Sequence, residues 1–140
     1  MNDAPARADA SVATPELQRI RLHLARSKDF PDGSARHGYE FLAPLDAEGR
    51  IDAEAWKAVR AKTTVTRFWG NDAPENGFLV HRAGGVAGAS WVFDYEAGAS
   101  EDDETGYRFG DHAFVPGEYV SLRDEDGDMH TFVVFSVVAA

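Results

Sequence analysis

The sequence predicts an α+β domain, mainly antiparallel β, folded as a curled sheet or small barrel covered by one helix. Three observations carry that expectation. Two alternating segments, Phe114–Asp124 and Met129–Val138, flank Asp126-Gly127, a pair suited to the positive φ angles of a tight hairpin turn. Short runs rich in Val, Ile, Phe, Tyr and Trp recur along the chain, separated by Gly, Asp, Asn and Pro. Only Asp52–Lys62 carries a helical signature.

The elements follow in order. Residues 1–16, MNDAPARADASVATPE, mix Ala, Pro and acids without a continuous apolar core and read as a flexible tail rather than a secretory signal. Residues 17–140 read as a single β-rich domain. In Leu17–Arg26, Ile20, Leu22 and Leu24 alternate with Arg19, Arg21 and His23, the pattern of a strand with one wet face. Ser27–Gly38 is expected to be a long loop, and Tyr39–Ala43 a short strand ended by Pro44. Asp52 is placed to cap the helix, Glu54 lies in its first turn, and Trp56 and Val59 share the face that packs on the sheet. Further strands are expected at Val65–Trp69, Phe78–Arg82, Ala89–Tyr95, Tyr107–Phe109, Glu118–Asp124 and Met129–Val138. Loops are expected at Gly70–Gly77, Ala83–Gly88 and Glu96–Gly106.

Bulk composition narrows the function. The chain has 140 residues, enough to bury a core without staples, and no cysteine, which removes disulfides, thiolate metal sites and cysteine nucleophiles. No run approaches the ~18 apolar residues of a membrane span. A cytoplasmic setting is expected. The net charge of −10 is uneven: 11 Lys/Arg stand against 10 Asp/Glu through Trp69, and 3 against 14 from Gly70 onward. Such an acidic half repels nucleic acid and anionic lipid, so neither is expected as a partner. The sequence does not specify the oligomeric state.

No motif fixes a chemistry. Asp124–Asp128 is acidic, but counting from Asp124 puts Met129 at the sixth and Phe135 at the twelfth position, where an EF-hand needs Gly and Glu. Ser100–Glu104 reads as solvated charge in a loop. His23, His37, His81, His112 and His130 form no His-x-His or His-x-x-x-His pair, so no metal is expected. Trp91, Phe93 and Tyr95 line one strand face and read as core. Arg67 and Trp69 share a face, and His37 and Tyr39 follow the long loop. An Arg beside a Trp can stack on and hydrogen-bond a planar or anionic ligand. These four residues are the candidate ligand site.

Phe114–Arg123, FVPGEYVSLR, resembles the F-x-P-G-Q-Y-V-S-L segment of flavin barrels of the ferredoxin-reductase type, a resemblance that implies a barrel. Where that family carries Arg-x-Tyr-Ser or Arg-x-Tyr-Thr to hold the flavin, this chain reads His130-Thr131-Phe132-Val133, and no cofactor is expected. Gly110-Asp111 with Pro116-Gly117 is similar to the second motif of cupin barrels, without the His-x-His pair of their metal centre. Across His37–Asp46, Thr66–Gly70 and Phe114–Gly127 the chain resembles small bacterial conserved proteins of unknown function, which implies no activity.

The expectation is therefore a non-catalytic module binding a small ligand or a protein partner. The alternative is a small barrel enzyme using His37, His81 or His112 as acid–base groups, and behind it a flavin- or metal-bearing barrel.

Overall fold

A computed structural model describes residues 15–82, 90–95, 104–107, 109–124 and 126–140. The tail through residue 14, all of Ala83–Gly88 and residues 96–103 of the Glu96–Gly106 loop lie outside the described residues.

Eight strands run up and down in sequence order and close into a barrel. They are β1 (Gln18–Leu24), β2 (Ser34–Ala43), β3 (Thr64–Trp69), β4 (Glu75–Arg82), β5 (Ser90–Asp94), β6 (Glu104–Tyr107), β7 (Tyr119–Arg123) and β8 (Met129–Ala139). Every pairing is antiparallel, and β8 closes the ring on β1, from Gln18 opposite Ala139 to Leu24 opposite Phe132. Closure is a consequence of the alternation. Each strand has one apolar face, and a ring buries all of them while leaving no unpaired edge.

Ile20, Leu22, Tyr39, Phe41, Val65, Leu79, Trp91, Phe93, Val120, Leu122, Phe132 and Val134 are all buried in one interior cluster. Phe41, Phe93, Phe109 and Phe114 pack edge-on or tilted, with centroids 5.2–6.0 Å apart in four of their contacts. The inside is therefore a packed core rather than a ligand cavity.

The two ends differ. At the end where β2 finishes and β3 begins, the helix α1 (Ala53–Val59) is capped by the Asp52 side chain, which accepts from the Ala55 N–H. It continues as a 3₁₀ turn through Lys62. Buried Trp56 donates from its indole to the Leu79 carbonyl at 3.0 Å and lies 5.5 Å, edge to face, from Trp91. The helix thus plugs one end with a single large side chain instead of lying across a sheet face. Ile51, Phe109 and Phe114 join the core there.

At the opposite end the chain departs from expectation. Strand β2 begins at Ser34 rather than Tyr39, absorbing a register irregularity between His23 and Leu24, and β4 begins at Glu75 inside the expected loop. Strand β6 begins at Glu104, also within an expected loop; at its far, plugged end Phe109 belongs to a 3₁₀ turn instead of a strand. The β7–β8 hairpin is present, but its connection runs from Asp124 to Asp128 and is wider than a tight primed turn. Gly127 takes φ +90°, and the Asp124 carboxylate accepts from the N–H groups of Asp126 and Asp128. An Asp side chain that mimics a turn lengthens the hairpin while keeping its backbone paired.

Candidate functional site

The open end gathers polar side chains above the aromatic core. On β3, Val65, Arg67 and Trp69 alternate inward; opposite them on β2, Tyr39 pairs in register with Arg67 and His37 with Trp69. The four residues expected at a ligand site thus occupy adjacent positions of one antiparallel strand pair, at one mouth. The Arg67 guanidinium lies 4.4 Å from the Trp69 ring centroid, and His37 meets the same indole edge-on at 4.8 Å. The Ser34 hydroxyl and His37 Nδ1 share a hydrogen bond of 2.7 Å. Burial, with Arg36 and Arg67 nearby, holds His37 below the ordinary histidine value, although Asp72 pulls the other way.

The residue that organises this mouth is Glu104, which is only 3% exposed. Its backbone pairs with Phe93, so its carboxyl turns into the barrel. Tyr39 and Tyr95 both donate to Glu104 Oε1, at 2.9 and 2.7 Å. Its other oxygen, Oε2, lies 3.5 Å from Arg67 Nε. That is an ion pair without a hydrogen bond, and Nε is a buried donor with no hydrogen-bond partner among the described residues. Arg67 also reaches Glu75, at 3.4 Å.

Burial raises the Glu104 carboxyl above the usual range, against the opposing pull of Tyr95, Tyr39 and Arg67. Burial and the adjacent carboxyl likewise push both tyrosines well up, so both hydroxyls stay protonated donors.

The hairpin connection closes the other side. His130 Nε2 lies 2.9 Å from Asp124 Oδ2, and its ring meets Trp69 edge-on at 5.9 Å. Burial alone would raise Asp124, but the His130 bond and the Asp128 and Asp126 amides outweigh it and hold the carboxylate below its ordinary value. Between these walls lies a cavity of about 110 Å³, lined by Arg67, Glu75, Tyr95, Glu104, Asp124 and Asp126.

A larger groove of about 1210 Å³ runs outside the barrel along Trp56, Thr64, Phe78, Val80 and Asp94. Among the described residues, Arg60 and Asp94 are its only ionisable groups besides Tyr95, and Asp94 already pairs with Arg82 at 2.6 Å. It has volume but few converging polar groups, whereas the mouth has both a cavity and a perturbed carboxyl.

Sequence reasoning missed Glu104, which was expected to be solvated charge within Ser100–Glu104. Nothing local distinguishes Glu104 from its acidic neighbours; its two tyrosine donors come from β2 and from the end of β5. Tyr95 was expected in the core with Trp91 and Phe93. Its ring is buried on that side, but its hydroxyl belongs to the mouth.

The histidines do not assemble. His37 stands at the open end, while His81 stacks on Trp91 at 4.0 Å near the plugged end. His112 follows the 3₁₀ turn Phe109–Asp111 on that same side. Among the described residues no group of three or more His, Asp or Glu is arranged to hold a metal, and no helix is long and apolar enough to cross a membrane.

Fold and site together define a closed eight-stranded antiparallel barrel with a packed interior, one plugged end and one polar mouth. Comparison with protein-family models, curated proteins and solved structures finds no match to this chain.

Proposed function

We propose that the protein is a non-catalytic binding module that receives a small polar ligand at the open mouth of the barrel. One observation carries this reading: a carboxyl and a guanidinium are drawn into an otherwise aromatic interior, beside a cavity of about 110 Å³. Burying such groups costs several kcal/mol per ion before pairing, and their 3.5 Å separation recovers only part of it. Replacing such a pair by well-packed apolar residues is often neutral for stability, so the arrangement supports a binding role better than a structural one. Because the Phe rings fill the barrel, the ligand sits at the rim rather than inside. The absence of cysteine fits a reducing, cytoplasmic setting.

Thermal shift across a panel of small polar compounds tests the reading. A true ligand raises the Tm of the wild-type protein in a concentration-dependent way and does so less for Glu75→Gln and Arg67→Ala. A panel in which no compound separates wild type from these variants overturns it. Consumption of a stabilising compound would move the protein to the enzyme class instead.

A further inference from the structure

The groove on the outer wall has a ligand chemistry of its own, different from that of the mouth. Its apolar surface comes from Trp56, Ala61, Phe78, Leu79 and Val80, and Phe78 lies 45% exposed in it. Two of the neutral polar groups beside that surface are already engaged. The Thr66 hydroxyl donates to Asn76 Oδ1 at 2.9 Å, and the Tyr95 hydroxyl donates to Glu104 inside the barrel. Asp94 is neutralised by Arg82 at 2.6 Å. What remains is an apolar trough with the Arg60 cation at its plugged end.

Arg60 belongs to the 3₁₀ turn that follows α1, and its guanidinium stands 6.0 Å from the Trp56 ring centroid. Neither Arg60 nor Lys62 makes an ion pair among the described residues, while Lys57 pairs with Glu54. The Arg60 carbonyl, which would otherwise repel an anion, already accepts from the Thr63 hydroxyl at 3.0 Å. This corner is therefore positive on a chain whose net charge is −10. An alkylammonium would meet Arg60 with like charge, and a polyol would leave the apolar wall unused. A second copy docked through a two-fold axis would bring both sets of Arg60 and Lys62 into one interface. The volume of about 1210 Å³ exceeds the roughly 300–1,000 Å³ usual for small-molecule pockets, which gives room for a whole alkyl chain.

We propose that the outer groove holds a free fatty acid, with its chain along Phe78 and Val80 and its carboxylate at Arg60.

The test follows the Trp56 indole N–H resonance, which the Leu79 carbonyl fixes beside the groove, by ¹H–¹⁵N NMR. The probes are hexanoate, octanoate, decanoate, 1-octanol and octylammonium chloride, each below its micelle-forming concentration. Saturable shifts are expected with the carboxylates, the affinity rising about fourfold per added methylene. The alcohol should bind more weakly than octanoate, and octylammonium most weakly. Arg60→Gln, which removes no ion pair, should lower octanoate affinity about two- to fivefold while 1-octanol binding and the melting curve stay put. Equal affinities for octanoate and octylammonium, or an affinity independent of chain length, would overturn the proposal. So would a Trp56 shift that follows protein concentration alone, which assigns the groove to a second copy. A shift with phosphatidylglycerol vesicles but not with the free acids would assign it to a membrane and overturn the proposal as well.

Discussion

The Tyr39 hydroxyl donates to Glu104 Oε1 at 2.9 Å, joining β2 to β6 through the interior although 65 residues separate them in the chain. That bond and its counterpart from Tyr95 offset part of the cost of burying a carboxyl. Tyr39→Phe should therefore cost about 1–3 kcal/mol in urea denaturation. The variant should also raise the Glu104 pKa further, because one of the groups holding it down is gone. An unchanged denaturation midpoint would show that the bond carries no stability.

Glu104 also ties stability to pH. Its folded pKa is raised above the ordinary glutamate value, so its contribution is fully present below that value and is lost as pH rises through the folded pKa. Glu104→Gln, which keeps an acceptor for the tyrosines, should flatten the pH dependence of stability across that window. Parallel wild-type and variant curves of unfolding free energy against pH would refute the assignment.

His23 works in the opposite direction. On the outer wall it stacks on Phe135 at 4.2 Å and accepts from Arg21 Nε at 2.9 Å, which requires a neutral ring. Burial first, and then Arg21, lower its pKa. Stability from this group is present above the ordinary histidine value and is lost as pH falls through the folded value. An NMR titration should place the His23 midpoint below about 6.5, and Arg21→Ala should move it upward.

Gly38 lies on β2 where an added Cβ would run into the Leu22 carbonyl oxygen of the neighbouring strand. That backbone atom belongs to the barrel wall and cannot swing aside. Gly38→Ala should cost about 1–3 kcal/mol by overpacking, measured by chemical denaturation. Gly127→Ala, strained only at an exposed turn, should cost less.

Trp56→Ala should cost about 3–5 kcal/mol, because it empties the plug and leaves the Leu79 carbonyl without its indole donor. Loss of the Trp91 near-ultraviolet signal alongside would show that the plugged end has loosened.

What was legible in the sequence was whatever is set within a few residues. The alternation of Ile20, Leu22 and Leu24, the Asp52 cap and the inward Trp56 all appear in the structure as read, and so do the expected strands among the described residues except Tyr107–Phe109, where β6 ends at Tyr107 and a 3₁₀ turn begins at Phe109. Barrel closure was left open between a sheet and a ring, because only the pairing of β1 with β8 decides it. Strand starts at Ser34, Glu75 and Glu104 were hidden, since Ser, Arg, Glu, Asn and Gly there have weak strand preference and partners distant in sequence supply the pairing. At the candidate site, His37, Tyr39, Arg67 and Trp69 were named from two adjacent strands. Glu104, Tyr95, Asp124 and His130 come to the mouth from β5, β6 and the β7–β8 hairpin, and no local pattern announces a meeting of segments that far apart.

Pairing of Gln18 with Ala139 seats β8 between β7, which precedes it by one short turn, and β1, which stands first in the strand order. Until residues 129–139 dock, those neighbours stay as bare rims able to zip onto another molecule. The seat of β8 is thus the place where the barrel is most open to strand exchange with another copy.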